Sequence, residues 1–127
     1  MTRIFSFDLK SKKGPKTSRR RLIESLDRAF SIAVRKRDGQ CLRCGKKTPV
    51  YTHHIMSRRY LGTRWDMENG VTLCVSHHRR AHGDPEEFRD WVLAWMGRER
   101  FDFLKYRALR ITKYSEGDLK LLREGFK

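Results

Sequence analysis

The chain has little of what would tie it to a membrane or to an oxidising compartment. Its longest unbroken apolar run is Trp91–Met96, far short of the ~20 residues that cross a bilayer. Met1–Lys10 carries no apolar stretch of the signal-peptide kind, so a reducing, cytoplasmic setting is expected. There are only 3 cysteines, an odd number that cannot all pair within the chain, and in a reducing setting clustered cysteine beside histidine reads as metal ligation. Acidic residues are scarce: 15 Asp+Glu face 30 Lys+Arg, a net charge of +15 over 127 residues. A small fold gains nothing in packing from charges that repel, so the excess implies a polyanionic partner, and with no membrane feature present that partner is nucleic acid. Apolar residues make up 38%, enough for a modest core and too many for wholesale disorder. The length suits one domain.

Residues 1–18 read as a basic flexible arm, with Gly14-Pro15 interrupting it and a short ordered piece at Ile4–Leu9. A plain solvated tail is the competing reading. Residues 19–127 read as a single domain. Leu22, Leu26, Ala29, Phe30, Ala33 and Val34 recur at helical spacing and predict a helix over 19–38, with Gly39 as its stop. A metal-ligand-rich core over 40–83 follows, then C-terminal helices over 84–124. Asp84-Pro85-Glu86-Glu87 starts the first of these, whose apolar face is Phe88, Trp91, Val92, Trp95 and Met96. A further helix is expected over 99–109, and Ser115 with Asp118 suggests a last short one.

All 3 cysteines and all 5 histidines fall between Cys41 and His82. Cys41 and Cys44 have the spacing that turns two thiolates onto one ion, and Cys74 with His77 repeats it. Together they predict a closed Cys₃His site of the structural zinc type. His78 and His82 share one face of a helix expected from about Val75 to His82 and can grip a second ion. His77 is rotated ~100° away, which suits its assignment to the first. His53 and His54 lie in Val50–Met56, which reads as a strand, so the two side chains point to opposite faces. One can serve as a ligand while the other stays free as a base.

His53-His54, Asn69, His78 and His82, with the phrases "THHI", "ENGVTLC" and "HHRRAH" around them, resemble the HNH nuclease motif of the ββα-metal, or His-Me, finger. The two zinc half-sites bracket the motif as in the zinc-stapled branch of that family, and "RRYLGTRWDMENGVTLCVSHH" is similar to small phage or prophage HNH proteins. The resemblance covers about a third of the chain. It implies an α+β fold: a ββα-metal finger with its zinc knuckle, flanked by N- and C-terminal helices. It also implies a metal-dependent endonuclease acting on DNA and leaving 5′-phosphate and 3′-hydroxyl ends, with low sequence specificity or structure selectivity.

By that resemblance His54 is the general base, and Asn69 braces the loop and helps to orient the base through hydrogen bonding. His53, His78 and His82 hold one catalytic divalent ion: Mg²⁺, Mn²⁺, Ni²⁺ or Zn²⁺. The first of these positions is often Asp in the family. His53 makes the ion environment softer, which puts a preference for Mg²⁺ in doubt. Arg58, Arg59 and Arg64 between the strands, with Arg79 and Arg80 on the helix, are candidate phosphate contacts. Trp65 is expected to pack behind the loop. The competing class is a non-catalytic zinc-finger nucleic-acid binder, which needs Cys41, Cys44, Cys74 and His77 but gives no reason for the other four histidines. A homodimer or a phage protein partner is compatible with either.

Overall fold

In the computed structural model, residues 14–127 are described. Most of the expected basic arm, including Ile4–Leu9, lies outside them. Helix α1 spans Ser18–Asp38. The Thr17 side chain accepts from the Arg20 N–H at its start. At its end Gly39 adopts the left-handed conformation (φ 73°), where a side chain would be strained.

Two strands follow, β1 (Val50–His54) and β2 (Gly70–Cys74), paired antiparallel with His53 opposite Val71 and His54 opposite Gly70. β1 stops at His54, two residues earlier than the sequence suggests. There the Ile55 N–H bonds to the Asn69 carbonyl and the Met56 N–H to the Asn69 side chain, which bends the chain into the connection. The connection is not the plain loop expected: it holds a single helical turn, α2 (Leu61–Arg64), and a 3₁₀ turn at Met67–Asn69.

Helix α3 (Val75–Gly83) leaves β2 directly, with the Cys74 sulfur accepting from the His77 N–H. Then come α4 (Pro85–Met96), capped by Asp84, and α5 (Arg98–Leu109). The last helix, α6 (Glu116–Glu124), starts on a reciprocal Ser115–Asp118 capping box.

Strand alternation decides which residues meet which helices. Val71 and Leu73 join Phe88, Val92, Met96, Phe101 and Leu104 in a core on the α3–α5 side. Gly70 and Thr72 face α1 instead. Thr72 donates its N–H to Asp38, and a Cβ on Gly70 would come within 2.7 Å of Val34 and 2.8 Å of Phe30. The second core, Leu26, Phe30, Val34, Trp65 and Leu119, lies on this side, with Leu119 brought in by α6. Trp65 therefore packs inward as expected.

One expected core residue does not. Trp95 is 41% exposed, because α4 buries the i, i+4, i+8 stripe Phe88, Val92 and Met96. Trp91 and Trp95 lie at its margin, stacked on each other (centroids 5.3 Å apart), with the Arg43 guanidinium over the Trp91 ring.

Candidate metal centres and active site

The Cys41–Cys44 turn is closed by its own backbone, with Gly45 N–H on the Cys41 carbonyl and Cys41 N–H on the Lys46 carbonyl. The Leu42 N–H reaches the Thr72 carbonyl and ties this turn to β2. Cys74 ends that strand and His77 lies in the first turn of α3, so one strand–helix joint supplies the other pair. The four ligand atoms all lie within 4.8 Å of one another. Cys44 and Cys74 sulfurs are 3.7 Å apart, and His77 Nδ1 lies 3.6 Å from the Cys41 sulfur and 3.4 Å from that of Cys74.

Two sulfurs at ~2.3 Å from a tetrahedral ion would be ~3.8 Å apart, so the donor set fits zinc. Burial pushes the Cys41 thiol up, but the N–H groups of Cys74, Arg43 and Cys44 aimed at its sulfur bring it down to about 6, the thiolate form that a metal needs. Around the cluster, Arg43 makes a two-pronged ion pair with Glu87 (2.8 and 2.6 Å), and Arg80 approaches the same carboxylate at 3.5 Å.

The second cluster is His53, His78 and His82, again with ligand atoms within 4.8 Å of one another. His78 and His82 present their Nε2 atoms 3.3 Å apart. That is the spacing of two nitrogens ~2.0–2.1 Å from one tetrahedral ion. Burial first, then the neighbouring His82, His78 and His54, lower the His53 pKa to about 4. Burial and His82 lower that of His78 as well. Neutral imidazoles carry the lone pairs that ligation requires. Phe88 backs His53 edge-on at 4.7 Å, and Tyr51 stacks on His78 at 5.5 Å, so two of the three rings are held by packing.

His54 points to the other face, as strand alternation requires. Its Nε2 lies 2.9 Å from the Arg64 carbonyl. A carbonyl only accepts, so Nε2 carries the proton and Nδ1 keeps its lone pair. Burial lowers the His54 pKa against the opposing effect of that hydrogen bond. Phe30 of α1 stacks on the ring (5.0 Å, 23°). Both histidine faces open onto one cleft of about 670 Å³, lined also by Asp27, Ser31, Thr52, Arg58, His78 and His82.

Asn69 is fully buried. It accepts from the Met56 N–H and donates to the carbonyls of Met56 and Thr63 (2.7, 3.1 and 2.9 Å). It thus ties both ends of the connection together and makes no hydrogen bond to His54 itself. The candidate phosphate arginines are not alike. Arg58 is exposed and lines the cleft, 3.8 Å from Asp27. Arg79 is exposed on α3. Arg59 lies over Tyr60 and bonds its hydroxyl, and Arg80 leans on Glu87. Arg64 closes its fork on Asp27 (3.0 and 2.8 Å). Asp27, Phe30 and Tyr51 are site-building residues that sequence reading missed. The one available signal was Asp27 beside the buried stripe of α1, three residues before Phe30 within it.

Among known families, residues 41–84 match the family model described as HNH endonuclease. This segment, about a third of the chain, contains both ligand clusters, His54 and Asn69; HNH domains are in general nucleases that use divalent metals. No curated protein and no solved structure matches the chain. No helix among the described residues is long and apolar enough to cross a membrane.

Proposed function

We propose that this chain, on the strength of its HNH domain, is a metal-dependent DNA endonuclease hydrolysing phosphodiester bonds to 5′-phosphate and 3′-hydroxyl ends. The observation that carries the reading is the pairing of an open three-histidine cluster with an oriented histidine base in one cleft. A bound divalent ion, Mg²⁺, Mn²⁺, Ni²⁺ or Zn²⁺, held by His53, His78 and His82 would supply charge stabilisation to the phosphate and to the departing 3′ oxygen.

The protein's own groups do the rest. His54 takes the proton of the attacking water on Nδ1, while its Nε2–H stays on the Arg64 carbonyl. The water oxygen forms the new bond to phosphorus as the bond to the 3′ oxygen breaks, and that oxygen takes a proton from solvent to become the 3′-hydroxyl. Asn69 keeps the connection closed beneath the base. Arg58, with Arg59, Arg79 and Arg80 farther out, holds neighbouring phosphates, and Arg64 shapes the cleft wall from its pair with Asp27. The net charge of +15 supports backbone-dominated binding with little base readout.

The test is digestion of supercoiled plasmid, linear duplex, single-stranded and branched DNA with each metal, beside His54→Ala. We expect metal-dependent nicking by the wild type and 3′-hydroxyl ends that a polymerase extends. DNA binding with one tightly held zinc and no cleavage of any substrate would overturn the reading in favour of a non-catalytic binder.

A further inference from the structure

Part of what surrounds His54 lies outside the HNH segment, on α1. Arg64 ends α2, a single helical turn too short to hold its own position. Its carbonyl is the acceptor that fixes the His54 proton on Nε2. Two restraints hold that carbonyl. Asn69 bonds the Thr63 carbonyl next to it at 2.9 Å. From the opposite wall, Asp27 of α1 grips both residues at the end of the turn. Its Oδ1 accepts from Arg64 Nε (3.0 Å) and from the Trp65 indole N–H (2.8 Å), and its Oδ2 accepts from Arg64 Nη2 (2.8 Å). The pair is mostly shielded, with Asp27 and Arg64 side chains 22% and 19% exposed. One helical turn along α1, Phe30 lies flat against the imidazole.

We infer that Asp27 is a positioning residue for the catalytic base: its carboxylate clamps Arg64 and Trp65, and so holds the Arg64 carbonyl that fixes the His54 ring and tautomer. The inference rests on the proposed reading of His54 as the base, and it places part of the active site in α1, outside residues 41–84. The Asp27 carboxylate is taken up by Arg64 and Trp65, and it is not one of the candidate metal ligands. Its loss should therefore act on the rate of the chemical step, where small misplacement is amplified, and spare binding.

The experiment uses the full chain, zinc-loaded, with Asp27→Ala and Asp27→Asn, and ¹⁵N-labelled histidine observed by NMR at pH 8, where imidazoles are neutral. The wild type should show His54 as the single Nε2–H tautomer. Asp27→Ala should show mixed tautomers, a fall in kcat for plasmid nicking on the order of 10²-fold, and KM and second-metal affinity within about threefold of wild type. Asp27→Asn keeps one acceptor oxygen and should lie between, about tenfold down. It also decides the matter if Asp27→Ala does not fold.

A folded variant with wild-type kcat and an unchanged His54 spectrum overturns the inference, as does a loss of kcat that tracks loss of metal. Such a result leaves the nuclease reading standing if His54→Ala still abolishes nicking. Absence of nicking in the wild type would overturn the nuclease reading instead, while the tautomer change on substituting Asp27 would still decide the positioning role.

Discussion

The two ligand clusters share one short helix, yet they are built for opposite ends. His77 and His78 are neighbours on α3, turned ~100° apart, and each goes to a different centre. The Cys41–Cys44–Cys74–His77 centre has four protein ligands, two of them buried in the α3–α5 core. The His53–His78–His82 centre has three, one of them exposed, and opens on a cleft. Four ligands close a tetrahedral ion off and make it a structural member, whereas three leave a position for chemistry. The surroundings differ too: the first is walled by core and by the Arg43–Glu87 pair, while the second, backed by Phe88 and Tyr51, lines the cleft.

The strongest way to break this comparison is to attack the closed centre. Cys74→Ser, or zinc removal by a chelator, should abolish cooperative melting, since structural zinc in finger peptides contributes apparent free energies of ~10–16 kcal/mol. His78→Ala should keep its melting transition within a few degrees of wild type, roughly a 1 kcal/mol effect. Calorimetry with metal analysis distinguishes them, and equal losses would erase the division between a structural and a working centre.

A sharper cut separates the base from the open centre. His54→Ala should lower nicking by about 10²–10⁴-fold while both metals and DNA binding are retained. His78→Ala should instead weaken the second metal itself, seen by titration calorimetry. Loss of second-metal binding in His54→Ala would put His54 among the ligands.

The α1 face can be perturbed apart from both centres. Gly70→Ala drives a Cβ to 2.7 Å from Val34 and 2.8 Å from Phe30, side chains with no exposed surface and nowhere to go. We expect destabilisation of ~1–3 kcal/mol by denaturant titration, with zinc content unchanged and nicking reduced through the displaced Phe30.

The smallest effect is acid-dependent. Burial alone would raise the Asp27 pKa, but bonds from Arg64 and Trp65 and the charges of Arg64 and Arg58 hold it below the ordinary carboxylate range. A group whose pKa is lowered by folding stabilises the fold above its unfolded value, ~3.9, and loses that contribution as pH falls through the folded one. Asp27→Asn should therefore melt below wild type at pH 6, with the gap closing below about pH 4. A gap that persists at low pH would assign the loss to shape rather than charge.

What was legible in the sequence is what is local. Cys41 and Cys44, Cys74 and His77, and His78 and His82 sit within single turns, so spacing alone assigns them. Opposite faces for His53 and His54 follow from strand alternation, and the Ser115–Asp118 box follows from cap chemistry. The α1 clamp was not legible, because Asp27 and Arg64 are 37 positions apart. An acid on an amphipathic helix and an arginine in a connection each read as solvated until the fold joins them. Helix α2 escaped for a different reason. It is one turn long and contains Gly62, where a Cβ would come 2.7 Å from the Arg107 carbonyl, so tight packing on α5 rather than periodicity makes it helical.

The pairing of α1 with α6 sets an order of events during synthesis. Arg19 donates to the Tyr114 carbonyl, Arg123 to Ser25, and Ser18 to Glu116, while Leu119 fills the core under α1 and Phe126 meets Phe30 edge-on at 6.4 Å. All seven candidate ligands precede α6 in the chain. At ~5–20 residues per second, the stretch from His82 to Glu116 takes about 2–7 s to translate. The nascent chain thus has its candidate ligands in hand seconds before α1, which packs on His54, has its cover.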